Sequence, residues 1–280
     1  MSEGLAIVIM AAGLGSRFGG NKQLVEVGPG GEVFFDFAIA DARAAGTDRV
    51  VLIVRREFAH IVEEHVRRMH GDELDLALVC QDEAEAPPRA KPWGTAHAIL
   101  TAGSEIDRPF LVVNADDYYG TTSYRRVADA LRAAGPDTAV LAGFQIGRTL
   151  PRHGSVSRGV CAVDGSRLTR IVETHGIERR DGTIISTDPP GELADDTPVS
   201  MNMWGFEPSI LGHLDRLWGR FLAASGHEEK SEFLLPSAVG QLMEEGVLDV
   251  RVVVTPDDWI GVTNPDDLEP ARALLATLRT

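Results

Sequence analysis

Positive charge is scarce in this chain of 280 residues, and lysine scarcer still. Three lysines stand among 27 basic residues, against 42 acidic ones, for a net charge of −15. An acidic surface repels phosphate backbones and anionic headgroups, which argues against nucleic acid or anionic membrane as a partner. An anionic small molecule must then be met by a local cluster of cations. Cysteine is nearly absent: Cys80 and Cys161 make no disulfide framework, and each lies in an apolar strand-like run, so both are expected as buried thiols. Long hydrophobic runs are missing. The start "MSEGLAIVIMAAG" is acidic and its apolar run is too short for a signal peptide or a bilayer span, so the chain is expected to be cytoplasmic. What is present, 44% hydrophobic and 25% charged residues, is ordinary for a soluble globular protein.

Short β-branched runs alternate with helical patterns, which predicts an α/β fold with a mainly parallel, Rossmann-like sheet flanked by helices. Strands are expected at 5–11, 49–54, 75–80, 109–114 and 138–144. Helices are expected at 32–46, 57–69, 94–103 and 123–135, then at 231–246, with Pro236 a kink or first-turn residue, and at 265–278. Between Gly147 and about residue 206 the pattern loosens into short strands and turns. No internal repeat or low-complexity linker appears, so one domain over 1–280 is expected.

The first strand runs into "GLGSRFGGNK" (13–22), four glycines in ten residues with Arg17 and Lys22 among them. The Walker pattern fails because Gly20 is followed by Asn21. The dinucleotide pattern fails because Phe18 stands at the third glycine, and because helical periodicity resumes only near Glu32, too late to face a pyrophosphate. A plain tight turn and a long loop wrapped around a triphosphate remain. For the second, glycines let backbone N–H groups approach phosphate oxygens, Arg17 offers a planar fork of donors and Lys22 a compact charge.

"MAAGLGSRFGGNKQL" resembles the signature of the sugar-phosphate nucleotidyltransferases, A-A-G-x-G-[ST]-R followed by a lysine, with Asn21 where a proline usually precedes it. Further stretches fall in the family's order. "CQD" (80–82) and "KPWGTAHAIL" (91–100) resemble its base-holding segments, "LVVNADDYYG" (111–120) its metal-binding strand, and "RIVETHG" (170–176) and "VSMNMWGF" (199–206) its sugar-contacting segments. The resemblance covers about residues 5 to 275. It implies the nucleotide-diphospho-sugar transferase (GT-A-like) fold, with a nucleotide-binding half at about 1–145 and a sugar-phosphate-binding half at about 146–280. It also implies a Mg²⁺-dependent attack by a sugar-1-phosphate oxygen on a nucleoside triphosphate, UTP or dTTP favoured, with release of pyrophosphate.

Carried over residue by residue, the resemblance places Ala11, Ala12, Gly13, Gly15, Gln81, Gly94 and Thr95 on the nucleotide, with Gln81 reading the base edge and Gly94 admitting the ring. Arg17 would meet the leaving pyrophosphate and Lys22 the α-phosphate or the incoming one. Asp116 would bind Mg²⁺ at the carboxyl end of its strand, where α/β sheets place ligands. Gly154, Glu173 and Asn202 would contact the sugar. Each has a plainer reading as well: Asp116 and Asp117 as a turn cap, Thr95 as a helix cap, Glu173 and Asn202 as satisfied strand residues. Trp93 serves equally as pocket wall or loop packing, and His97 reads as structural. The interval between Gln81 and Gly94 is longer than in uridylyltransferase relatives, which leaves the base open.

The second metal ligand is where the chain departs from its apparent relatives. "WIGVTNPDDL" (259–268) matches a W-L-D-x-G-T segment, and Gly261 stands at the aspartate's place. Asp258 stands ahead of Asp117 as the candidate to replace it, and a single carboxylate with no replacement is an equal alternative. Asp117 qualifies only if its strand has already turned, since successive strand residues face opposite ways. Asp257, Asp258 and the stretch after them also read as a turn leading to a helix capped by Asn264 and opened by Pro265. Two other functions stand beside the main one: an NADP-dependent oxidoreductase, prompted by Arg55–Arg56 after the second strand, and a non-catalytic nucleotide-sugar-binding regulator. A glycosyltransferase with paired aspartates would share the fold but would not need the Arg–Lys loop.

Overall fold

The computed structural model describes residues 4–13, 24–84, 86–89, 91–151, 154–262 and 267–278. Along the chain come β1 (Leu5–Met10), α1 (Phe34–Ala44), β2 (Thr47–Val54), α2 (Arg56–His70), β3 (Leu76–Cys80), α3 (Thr95–Thr101), β4 (Phe110–Asn114), β5 (Asp117–Tyr118) and α4 (Thr121–Arg132). β6 (Thr138–Gln145), β7 (Val156–Asp164), β8 (Arg167–Arg180), β9 (Thr183–Thr187), β10 (Pro190–Leu193) and β11 (Pro198–Phe206) follow. The chain closes with α5 (Ile210–Ser225), α6 (Leu235–Glu244), β12 (Asp249–Thr255), β13 (Ile260–Gly261) and α7 (Leu268–Leu278).

The unbroken apolar runs become parallel strands because helices cover both of their faces. β3, β2, β1 and β4 lie side by side in that order, all parallel. β11 then runs antiparallel between β4 and β6, and β12 is parallel to β6. In β1, Leu5, Ile7 and Ile9 point into one core with Phe35, Ile39, Val62, Tyr124 and Val127 of α1, α2 and α4. Ala6 and Val8 point into the other, with Ile99, Leu214, Leu217 and Val239 of α3, α5 and α6. This period of two, buried on both sides, explains the lack of alternation in the sequence. A third, smaller cluster seats α7 through Ala271 and Leu275 on Tyr118 of β5 and Ile260 of β13. Among the described residues no helix is long and apolar enough to cross a membrane.

Three expectations need correction, and one helix was not foreseen. That helix, α5, occupies Ile210–Ser225, to which the sequence reading gave no element. Its glycines Gly212 and Gly219 face open space and disguise the spacing of the buried Ile210, Leu214 and Leu217. The helix expected from 231 begins at Leu235, with Pro236 in its first turn, where a missing N–H costs nothing. Cys161 is buried, and burial pushes its thiol up to about 12. Cys80 is not: it ends β3, the outer strand of the sheet, and is partly exposed. The stretch from Val156 to Phe206 holds longer strands than expected, with β8 alone running Arg167–Arg180.

Candidate active site

The strand order turns back between β1 and β4, which run in register with Met10 opposite Asn114. Loops leaving such a switch point diverge and open a crevice. β4 ends there, and Ala115 and Asp116 form a turn before β5 begins at Asp117. The condition set for Asp117 is therefore met: the chain has turned, and Asp116 and Asp117 both line one cavity of about 320 Å³. Glu173 and Asn202 line the same cavity, joined by Asn114, Arg158, Gly159 and Trp259.

A chain of hydrogen bonds fixes these side chains. Asn114 Nδ2 donates to Asp117 Oδ2 (2.8 Å), Asn202 Nδ2 to Asn114 Oδ1 (2.8 Å), and Trp204 Nε1 to Asn202 Oδ1 (3.0 Å). Asn202 reaches inward from a left-handed backbone, φ 63°, at an irregularity in β11 between Ser200 and Trp204. Asparagine tolerates that conformation better than most residues. Tyr119 Oη lies 3.1 Å from both Asp117 Oδ2 and the Met201 carbonyl. Burial, reinforced by the Asp117 charge, holds its phenol well above the usual range, so it stays a donor.

β13 pairs with β5 so that Gly261 stands opposite Asp117. A Cβ on Gly261 would lie 2.9 Å from Asp117 Oδ1 and would run into the edge of the Trp259 indole. The space an aspartate side chain would need at 261 is thus filled from two sides, by the Asp117 carboxylate and the Trp259 ring. Asp258, the first candidate for second metal ligand, does not line the cavity; its carboxylate pairs with Arg148 at 3.1 Å. Asp257 accepts from Ser123 N at 2.7 Å and so caps α4. Among the described residues no group of three or more His, Cys, Asp and Glu side chains is placed to hold a metal.

Gly154 is exposed with open space around it, away from the cavity. The glycine of the cavity wall is Gly159, which stands in register with Glu173 across β7 and β8. A Cβ there would meet Ile171 at 2.8 Å, so the wall is open because Gly159 is bare. Arg158, next to it, was not singled out from the sequence. Its Nη2 donates to the Thr149 carbonyl (2.6 Å), Nη1 to the Ser157 carbonyl (2.9 Å) and Nε to Thr149 Oγ1 (3.4 Å), and its guanidinium lies over the Trp259 ring at 4.9 Å. Burial pushes Arg158 down to about 10 against the pull of Asp117 and Glu173, so it remains a cation at neutral pH.

A second cavity, about 230 Å³, opens at the ends of β1, β2 and β3. It brings Ala12 and Gln81 together with Arg55, Arg89, Lys91, Trp93 and His97. Gln81 Nε2 donates to the Gly94 carbonyl (3.3 Å) and faces His97 Nδ1 (3.4 Å). Burial pushes His97 down to about 4, so the ring is neutral near pH 7, and in the tautomer protonated at Nε2 its Nδ1 accepts from the Gln81 amide. Both readings of Trp93 hold: it lines the cavity, yet packs edge-on against Trp218 and donates to the Pro87 carbonyl at 3.0 Å. Arg89 lies over Trp93 at 4.3 Å and donates to the Ser231 carbonyl at 2.8 Å, which ties the long interval after Gln81 to the segment before α6.

Gly94 and Thr95 have structural duties here. With φ 112°, Gly94 lies against the Phe233 backbone, and a Cβ would come 2.5 Å from its carbonyl oxygen. The Thr95 hydroxyl accepts from Leu235 N at 2.9 Å, capping α6 and not its own helix. Of the two arginines that prompted the NADP reading, Arg55 lines this cavity and pairs with Glu57, and Arg56 pairs with Glu83. Ala11 and Gly13 flank Ala12 at the end of β1. Gly15, Arg17 and Lys22 lie outside the described residues, as do Asn264 and Pro265.

A model of the MobA-like NTP transferase domain family matches residues 7–179. The Bifunctional protein GlmU of Hyphomonas neptunium is 25% identical over 288 aligned positions, covering 98% of this chain and 52% of its own length. That of Leifsonia xyli subsp. xyli is 26% identical over 280, covering 99% and 51%. The chain spans about half the length of these curated relatives. Among solved structures, the inositol-1-phosphate CTP transferase from T. maritima superposes with a TM-score of 0.65 at 14% identity, covering 98% of this chain and 96% of that one. A putative glucose-1-phosphate thymidylyltransferase from Bacillus anthracis, in complex with a sucrose, gives 0.65 at 14%, covering 96% and 94%. These structures establish the fold, that of the GT-A-like nucleotide-sugar transferases. The family model spans well over half of the sequence, and the chain belongs to the MobA-like NTP transferase domain family.

Proposed function

We propose that the chain transfers a nucleotidyl group from a nucleoside triphosphate to a sugar-1-phosphate, releasing pyrophosphate. One observation carries this reading: a cavity with an amide for a base edge opens at the ends of β1, β2 and β3, and a cavity with carboxylates, an asparagine and a guanidinium opens at the end of the neighbouring parallel strand β4. The reaction forms a bond from an acceptor phosphate oxygen to the α-phosphorus and breaks the bond to the β-phosphate. Two anions must meet, so charge compensation and alignment dominate over covalent catalysis. Asp116 and Asp117 offer the hard oxygen donors that suit Mg²⁺, a cation that often takes one or two carboxylates and fills its shell with water and phosphate. Asp117 fits the role because Asn114 and Tyr119 hold its Oδ2, which orients the carboxylate. Bound there, Mg²⁺ would offset negative charge on the reacting phosphates. Glu173 and Asn202 would take sugar hydroxyls.

UTP or dTTP is the favoured donor. The Gln81 amide nitrogen is spent on Gly94 and His97, so its carbonyl is left to accept, as the N3–H of uracil or thymine requires. Pyrophosphate release is expected only when triphosphate, sugar-1-phosphate and Mg²⁺ are all present, read across the common bases and hexose phosphates by a coupled assay. Nucleotide binding without pyrophosphate from any pair would establish the non-catalytic regulator instead.

Arg17→Ala and Lys22→Ala should each lower turnover by about a hundredfold, the loss typical of a transition-state donor. Little change in melting temperature is expected, since the loop composition promises little packing. Near-normal turnover in both variants would make the glycine-rich loop a plain turn.

A further inference from the structure

At the aspartate cavity three donors have no partner among the described residues. Arg158 has five N–H groups, of which three are taken by Thr149 and Ser157, leaving one on each terminal nitrogen. Arg158 forms no ion pair among the described residues, although Asp117 and Glu173 share its cavity. The third donor is Trp259 Nε1, buried and without a hydrogen-bond partner among the described residues. An indole N–H shut off from water is costly unless a partner completes it, and the half-buried guanidinium, fixed by two backbone carbonyls over an aromatic face, keeps two donors for a ligand. The ring edge beside Nε1 is the one turned to Gly261, which lines the cavity: a Cβ there would lie 2.5 Å from Cζ2.

We infer that Arg158 and Trp259 form an anion subsite that seats the phosphoryl group of the acceptor, in the cavity of Asp116 and Asp117. A phosphate monoester has enough oxygens to take the free edge of the guanidinium and the indole N–H together, whereas a neutral hydroxyl would leave the guanidinium charge unmet. The acceptor phosphate is the fitting occupant, because Glu173 and Asn202 of the same cavity suit sugar hydroxyls while the base-reading Gln81 lies in the other one. The inference rests on the nucleotidyltransferase reading for the name of its ligand, but its geometry is independent of turnover. It also gives Gly261 a purpose: a bare residue there admits the indole.

Calorimetric binding of a hexose 1-phosphate, of inorganic phosphate and of the free hexose, with Mg²⁺ and no nucleotide, tests it on the wild type and three variants. Arg158→Gln should weaken both phosphate ligands at least tenfold, and Arg158→Lys, which keeps charge but not the fork, by less. Trp259→Phe keeps the ring under the guanidinium and removes only the N–H, and should weaken them severalfold. The free hexose should bind all four alike. In turnover, the KM for the sugar phosphate should rise while that for the triphosphate stays put. Unchanged phosphate affinity in Arg158→Gln or in Trp259→Phe overturns the paired subsite, as does a wild type that binds hexose 1-phosphate no better than hexose. Phosphate binding that follows this pattern without any pyrophosphate release would sink the proposed activity and leave the subsite standing.

Discussion

Asp116→Asn is expected to lower turnover by about a thousandfold, ~4 kcal/mol of transition-state stabilisation, at any Mg²⁺ concentration. Asp117→Asn should differ in kind: a raised Mg²⁺ requirement with much of the maximal rate recovered at high metal. Asp116 stands in the turn after β4, at the mouth of the switch point, whereas Asp117 is anchored by Asn114 and Tyr119 and presents its other oxygen toward Gly261. Asp258→Asn should leave the titration untouched, since its carboxylate is occupied by Arg148 outside the cavity. Turnover against Mg²⁺ for the three variants decides the matter. Identical curves for Asp117→Asn and the wild type would leave Asp116 as the one protein carboxylate on the metal.

The second large effect lies outside both cavities, in the buried carboxylate of α1. Asp36 accepts from Val33 N (2.7 Å), His65 Nε2 (2.7 Å) and His70 Nε2 (2.9 Å), joining the start of α1 to the face of α2. Arg68 donates to the other nitrogen of His65 at 3.0 Å, which fixes that ring's tautomer. Asp36→Ala would strand three donors at once and should cost about 3 kcal/mol in urea unfolding at pH 7. Burial alone would raise the Asp36 carboxyl, but the bonds from His65, His70 and Val33 outweigh it and hold its pKa below 3.8. A lowered folded pKa means the stabilisation is fully present above the ordinary carboxylate range and is lost as pH falls through the folded value. The gap between wild type and Asp36→Ala should therefore be flat near neutrality and narrow below about pH 4. A gap that widened on acidification would show that the carboxylate is not what the imidazoles hold.

The parallel core was legible in the sequence for a simple reason. Where strands are covered on both faces they must be apolar at successive positions, as in β1, residues 50–54 of β2 and 110–113 of β4, and such runs stand out. α5 was not legible because Gly212 and Gly219 broke its apparent propensity, although Ile210, Leu214 and Leu217 carried helical spacing. In the site, Asp116, Asp117, Glu173 and Asn202 could be nominated because their residue types match the chemistry. Arg158 could not, since one arginine in a strand looks like any other until register sets it beside Gly159 and over Trp259. The same limit explains Gly154: the sequence offers two glycines five residues apart, and strand pairing alone tells which one faces Glu173. The reason for Gly94 lay equally out of reach, because Phe233, whose backbone it touches, is remote along the chain.

The crowding of Gly261, Trp259 and Asp117 makes these three positions strongly non-additive. Gly261→Asp alone should be harmful, because its side chain enters space held by an indole and a carboxylate. Removing the ring by Trp259→Ala makes room for the same change, but at the cost of the indole N–H, so the order in which the steps are taken decides whether an intermediate functions at all. The site therefore sits behind a ridge in sequence space: moving the carboxylate proposed for the metal from Asp117 to β13 takes coordinated steps, and single-substitution screens at position 261 will find glycine nearly immovable.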